Sequence, residues 1–256
     1  MTSRLQGRTA LITGSTSNIG RSIAVALAAE GAHVVVSGRD ETRGAAVVAE
    51  IREGGGKADF ARADLDGSPA ASQALAAAAT DLLGGRVDVL VNNAGVYPPS
   101  STPTTDEETF DRVFGVNVKA PFFLTKALVP AMFEAGGGVV VNLGSWITRL
   151  GVPMGAVYSS SKGAVETLTR AWAAEFGPRG IRVNAISPGV IASEGWEDGT
   201  RQAAGVMMRG TPAGRSGHPD AIAAAAVYLA SDDAEFVHGT VLDVDGGRTG
   251  VAVVAV

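Results

Sequence analysis

The chain has 256 residues, a formal net charge of −5 from 21 basic and 26 acidic side chains, and no cysteine. With no run of five or more basic residues, nucleic acid and anionic membranes are poor partners; the missing thiols exclude disulfides and cysteine nucleophiles and fit a reducing cytosol. No apolar stretch approaches the roughly 18 residues of a membrane span, and the opening MTSRLQGRTALITG has no apolar leader core, so the expected setting is cytoplasmic.

Strand-like and helix-like segments alternate along the chain. A short apolar strand over 9–13 leads to a helix over 19–30 that stops at Gly31. Strand 33–37 and helix 41–53 follow, then strand 58–61 and helix 69–83, where ALAAAAT reads as a helix packed closely through small side chains. Strand 87–92 precedes a long helical region from about 106 to 135. Next come strand 138–143, a helix over about 155–176, strand 182–186, a helix over 220–230 and strand 240–244.

Nearly every strand is a continuous Val/Ile/Leu run, as strands buried on both faces require. Repeated βα units of this kind predict an α/β fold with a doubly wound, mostly parallel seven-stranded sheet and helices on both faces. No linker divides the chain, so residues 1–256 read as one domain. Residues 189–217 have weak periodicity. They follow a strand end, where ligands sit in open α/β sheets, so they form either a substrate loop or a surface insertion.

The stretch TGSTSNIG at 13–20 joins the first strand to the first helix. Its glycines permit positive φ and close approach of a ligand to the backbone. Helix N-terminal amides can then hold a pyrophosphate. Asn18 replaces a glycine and is the next best occupant of a left-handed conformation. Such a turn alone reads equally well as a tight βα connection. At the end of the second strand, Ser37, Gly38 and Arg39 stand where an acidic residue would accept a ribose diol. A guanidinium there suits a 2′-phosphate and favours NADP(H) over NAD(H); otherwise it is a solvated arginine.

Tyr158 and Lys162 are four apart in YSSSKGAV, so a helix places them on one face. A free tyrosine is a poor acid–base catalyst at neutral pH, and a nearby ammonium favours its phenolate. Ser145, just past a buried strand, can reach the same substrate oxygen. In NNAG at 92–95, small Ala94 and Gly95 let a flat ring or ribose lie against the backbone. Asn117 is either a polar group of the site or a satisfied core amide. The histidines at 33, 218 and 238 show no metal-ligand spacing, and no metal is expected.

In order, these motifs resemble the short-chain dehydrogenase/reductase family, through PG at 188–189, LAS at 229–231 and VDGG at 244–247. VNVKAPFFLTKALVPAM and GIRVNAISPG look most like 3-oxoacyl-carrier-protein reductases. The resemblance implies a single-domain Rossmann fold and a catalytic set of Asn117, Ser145, Tyr158 and Lys162. Tyr158 would be the general acid or base and Lys162 would lower its pKa and hold the nicotinamide ribose. Ser145 would polarise the carbonyl, and Asn117 would hold a relay water.

For the cofactor it implies Gly14, Ser17, Asn18, Ile19 and Gly20 at the pyrophosphate, with Ser37 and Arg39 at the adenosine ribose. Asp64 and Leu65 would contact the adenine, Asn92 would adjoin its ribose, and Ala94 and Gly95 would lie near. Pro188, Gly189, Ile191 and Ser193 would border the nicotinamide, Ser193 standing where the family most often has threonine. Ser17 stands where many NADP-preferring members carry a basic residue, which leaves the 2′-phosphate to Arg39. Tyr97, Trp146, Met154 and Trp196 are the candidate substrate contacts.

The expected activity is NADP(H)-dependent interconversion of a carbonyl and a secondary alcohol, including a 3-oxoacyl thioester or a broad set of ketones, by a homotetramer or homodimer. The alternatives are an NAD-dependent dehydrogenase of a polyol, sugar or hydroxysteroid, and a dinucleotide-binding sensor without turnover.

Overall fold

The computed structural model describes residues 3–153, 155–193 and 196–252. Seven parallel strands form one sheet in the order β3-β2-β1-β4-β5-β6-β7. They are β1 Thr9–Ile12, β2 His33–Gly38, β3 Lys57–Arg62, β4 Val89–Asn92, β5 Gly138–Leu143, β6 Ile181–Pro188 and β7 Val241–Val244. The order reverses between β1 and β4, and Leu11 of β1 lies between Val35 of β2 and Leu90 of β4. A crevice opens at such a reversal, outside the carboxyl ends of the strands.

Because side chains alternate along a strand, each strand feeds two cores. Ile12, Val34, Val36, Val91 and Val141 pack beneath α1 (Asn18–Ala29), α2 (Glu41–Glu53) and α8 (Pro219–Ala230). Leu11, Val35, Leu90, Val140 and Val183 pack on the other side, beneath α3 (Pro69–Leu82), α5 (Ala120–Glu134) and α6 (Ala156–Phe176). Continuous apolar runs are thus required by helices on both faces. In alanine-rich α3, Leu75, Ala76 and Ala79 supply the buried face.

The helical region expected over 106–135 forms in three parts. It comprises α4 (Glu107–Phe114), a π-helical turn (Gly115–Lys119) and α5. Pro121 has no N–H to donate to the Asn117 carbonyl, so the regular α-helical ladder is interrupted there. The Ala120 amide reaches back to the Gly115 carbonyl instead. A helix not anticipated from the sequence, α7 (Asp198–Met207), lies within residues 189–217. The two ends of that segment are pinned together, with Ala192 N donating to Gly217 O at 2.9 Å and Gly217 N to Val190 O at 2.9 Å. Among the described residues, no helix is long and apolar enough to cross a membrane.

Candidate active site

A cavity of about 1200 Å³ opens at the carboxyl ends of the strands. One wall starts at the β1–α1 turn. Asn18 takes φ 45°, the one positive φ outside glycine among the described residues, as its place in the turn requires. Gly14 has φ +62°, and a Cβ on it would come within 2.8 Å of Ala94 Cα. The turn is latched by Asn93, whose amide Nδ2 donates to Thr13 O at 2.8 Å and Gly14 O at 2.9 Å. Ser15 ties it to β2, accepting at Oγ from Ser37 N at 2.9 Å. Helix α1 then begins with no side-chain cap and no acidic residue in its first turn, and residues 16–20 all line the cavity. Its uncompensated positive end suits a pyrophosphate.

Further along, Ser37, Gly38, Arg39, Asp40 and Arg43 line the same wall, with Asp64 and Leu65 from the loop after β3. Arg43 is engaged by Asp40 at 2.8 Å. Arg39 is 65% exposed and reaches Asp64 only at 3.9 Å. Arg43, in the first turn of α2, was not among the expected contacts.

The opposite end holds the catalytic candidates. Ser145 follows β5 and caps a short turn over Trp146–Thr148. Tyr158, in the first turn of α6, lines the cavity together with Ser145. The Tyr97 ring packs edge-on against that of Tyr158 at 4.6 Å. Burial holds the Tyr158 phenol above its ordinary range, opposed by the Ser145 hydrogen bond and reinforced by Tyr97. Lys162 is buried one turn along, 5.8 Å from the Tyr158 ring centre. Its Nζ donates to Leu143 O at 2.8 Å, and burial lowers its pKa to about 8 against the pull of Glu166. Burial is thus the largest influence on both groups.

Glu166 was not foreseen. This buried carboxylate accepts from Thr148 Oγ1 at 2.9 Å and so joins α6 to the Ser145 turn. Nothing within its own helix marks it as buried; the tight approach comes from Gly144, on which a Cβ would stand 2.8 Å from Glu166 Oε1.

Of the other expected residues, Ala94, Gly95, Trp146, Pro188, Gly189, Ile191 and Trp196 line the cavity. Asn117 stands behind the wall. Its Oδ1 accepts from Val96 N at 2.8 Å, and its Nδ2 donates to Val96 O at 3.1 Å and Ser161 Oγ at 3.0 Å. Gly95 leaves room for it, since a Cβ there would meet Asn117 Oδ1 at 3.3 Å and Lys162 Nζ at 3.5 Å. Ser193 lies past Ile191, its carbonyl accepting from Trp196 N at 3.3 Å, and is not part of the cavity wall among the described residues. Met154 lies outside the described residues.

Asn92 requires a correction. It does not border the cavity. Like Leu90, it points into the layer beneath α5, where Nδ2 donates to Asn142 Oδ1 at 2.9 Å and Thr125 Oγ1 at 3.3 Å. The next residue, Asn93, is the one on the cavity wall, as alternation across a strand end dictates.

A sequence model of the family described as enoyl-(acyl carrier protein) reductase matches residues 14–249. Cyclopentanol dehydrogenase of Comamonas sp. strain NCIMB 9872 is 38% identical over 248 residues, covering 96% of this chain and 98% of the relative. The structure of 7α-hydroxysteroid dehydrogenase complexed with NADH and 7-oxo-glycochenodeoxycholic acid is 37% identical, with a TM-score of 0.89 and 96% of each chain covered. A protein of Agrobacterium tumefaciens with bound NADP is also 37% identical, with a TM-score of 0.86, covering 96% of this chain and 98% of that one.

Proposed function

The chain belongs to the short-chain dehydrogenase/reductase family, and from that premise we propose that it is an NADP(H)-dependent oxidoreductase interconverting a ketone and a secondary alcohol. The observation that carries this reading is the placing of Ser145, Tyr158 and Lys162 at one end of a cavity whose other end is the glycine turn. Those residues fit a dinucleotide: an uncapped helix end, glycines that a Cβ would obstruct, and two arginines at the far wall. When bound, the nicotinamide supplies or accepts the hydride.

The chain's own residues then handle the oxygen and its proton. Tyr158 holds a proton at Oη, gives it to the carbonyl oxygen in reduction and takes it back in oxidation. Ser145 Oγ, on the same stretch of cavity wall as that phenol, orients the same oxygen. Lys162, held under the site by Leu143 O, brings a positive charge toward the phenolate left after transfer. Asn117 braces the Gly95–Val96 wall in front of it. A homotetramer or homodimer is part of this reading, supported by the apolar outer face of α5 and α6, where Phe122, Phe123 and Leu168 border a second cavity. Light scattering tests it, and a mass near the 25.9 kDa of one chain would remove that part.

The cofactor preference rests on Arg39, whose long contact with Asp64 leaves its planar fork available to a 2′-phosphate. NADPH is expected to bind tighter than NADH by about tenfold or more. Arg39→Ser should remove most of that difference while leaving NADH affinity unchanged, as read by fluorescence titration. The competing reading, an NAD-dependent dehydrogenase, draws on Asp40 and Asp64, carboxylates on that same wall. Tighter binding of NADH by the unmodified protein would establish it instead.

A further inference from the structure

The end of the cavity that faces Tyr158 is closed by two apolar elements. Thr200, Ala203, Ala204 and Met207 of α7 line it, and their spacing of three, four and seven makes them one helical face. The turn after β5 stands against them. There Trp146, only 8% exposed, packs with Ile147, Val190, Ala204 and Met208. The Arg248 guanidinium lies over the Trp146 ring, 4.2 Å from its centre, a cation–π contact that fixes the indole. Tyr97 and Trp196 add further flat surfaces to the wall, and the methyl-sized side chains of Ala203 and Ala204 leave width beside them.

Among the described residues, the charge on the cavity wall comes from other elements. Apart from Lys162, every charged residue on the described wall comes from residues 39–43, residues 64–66 or α4. Among the described residues, the side chains from the turn after β5, the loop after β6 and α7 that line the cavity carry no charge. Apart from Ser145 and Tyr158, which serve the reacting oxygen, the side-chain hydroxyls there are those of Thr200 and Tyr97.

From this division we propose that the substrate is a compact apolar ketone, or the matching secondary alcohol, with its carbonyl on or beside a ring. The proposal rests on the carbonyl–alcohol reading above and narrows it. A sugar or polyol would bury several hydroxyls here with too few partners, and each unpartnered one lowers affinity by about tenfold or more. A phosphorylated carrier thioester would bring negative charge to a face whose described lining from α7 and the turn after β5 carries no cationic side chain. A flat ring matches the aromatic surfaces, and a methionine opposite adapts to its outline.

The test is NADPH oxidation, repeated with NADH, over cyclohexanone, acetophenone, 2-butanone, D-fructose and acetoacetyl-CoA. The kcat/KM for cyclohexanone or acetophenone is expected to exceed that for fructose and acetoacetyl-CoA by about 100-fold or more. Equal or better turnover of the sugar or the thioester overturns the substrate class and leaves the carbonyl-reductase reading standing. No turnover of any carbonyl with either cofactor overturns both. Ala203→Leu narrows the width beside the aromatic wall. It should lower kcat/KM for acetophenone by about tenfold while changing that for 2-butanone less than about threefold, with NADPH affinity unchanged. An equal fall for both ketones would overturn the assignment of a ring to that space.

Discussion

Tyr158→Phe is expected to lower kcat by about 10²- to 10⁴-fold, the usual worth of a positioned general acid, while changing the NADPH dissociation constant less than about threefold. The substitution removes one oxygen and keeps the ring, so the edge-on contact with Tyr97 and the packing of α6 persist. Among the described residues no neighbour is placed to replace that oxygen: Lys162 Nζ is held one turn along by Leu143 O, and Ser145 Oγ has no basic hydrogen-bond partner. Initial rates of ketone reduction and a cofactor titration on the same preparation give both readouts. A variant that keeps more than about a tenth of the turnover would remove Tyr158 from the proton-transfer role.

The pH profile belongs to the same expectation. Burial pushes the Tyr158 phenol up from its ordinary range, which favours the protonated form that reduction needs as its donor. Lys162, lowered to about 8, is charged below that pH and loses its charge above it. The phenolate left by proton transfer is then less well stabilised, so reduction should slow as pH rises through about 8 in the unmodified protein.

The sequence made the glycine turn, Ser145 and the Tyr158–Lys162 pair legible because each is local: a strand end, or one turn of one helix. What it concealed depended on distant neighbours. Asn92 and Asn93 are indistinguishable by composition, and both faces of β4 are buried, so no apolar–polar alternation says which one faces the cavity. Glu166 reads as a solvated position until Gly144 of the neighbouring strand end is placed against it. Helix α7 contains Gly199 and Gly205, which weaken its helical signal, and only its contact with the aromatic wall shows that Thr200, Ala203, Ala204 and Met207 form a face. The three-part helix around Asn117 could have been read from Pro121, since the missing amide falls four residues on.

Gly20→Ala is expected to weaken NADPH binding by about 100-fold, roughly 3 kcal/mol, and to lower stability by about 1–3 kcal/mol. A Cβ at this position would lie 2.3 Å from Gly14 O, 2.5 Å from Asn93 Nδ2 and 2.8 Å from Ser15 Cα. Two of those atoms are backbone, and the third is the amide that latches Gly14 O and Thr13 O. None can yield by a side-chain rotation alone, so the turn must open or α1 must retreat. Either movement takes the helix N-terminus off the line along which its amides meet the pyrophosphate. Gly54→Ala is the control: Gly54 caps α2 at φ −74°, and its Cβ would find only ordinary contacts from 3.4 Å. Thermal melts show whether Gly20→Ala remains folded at the temperature of the titration. If it is folded and still binds NADPH within about threefold of the unmodified protein, the turn at 13–20 is a tight βα connection and the phosphates lie elsewhere.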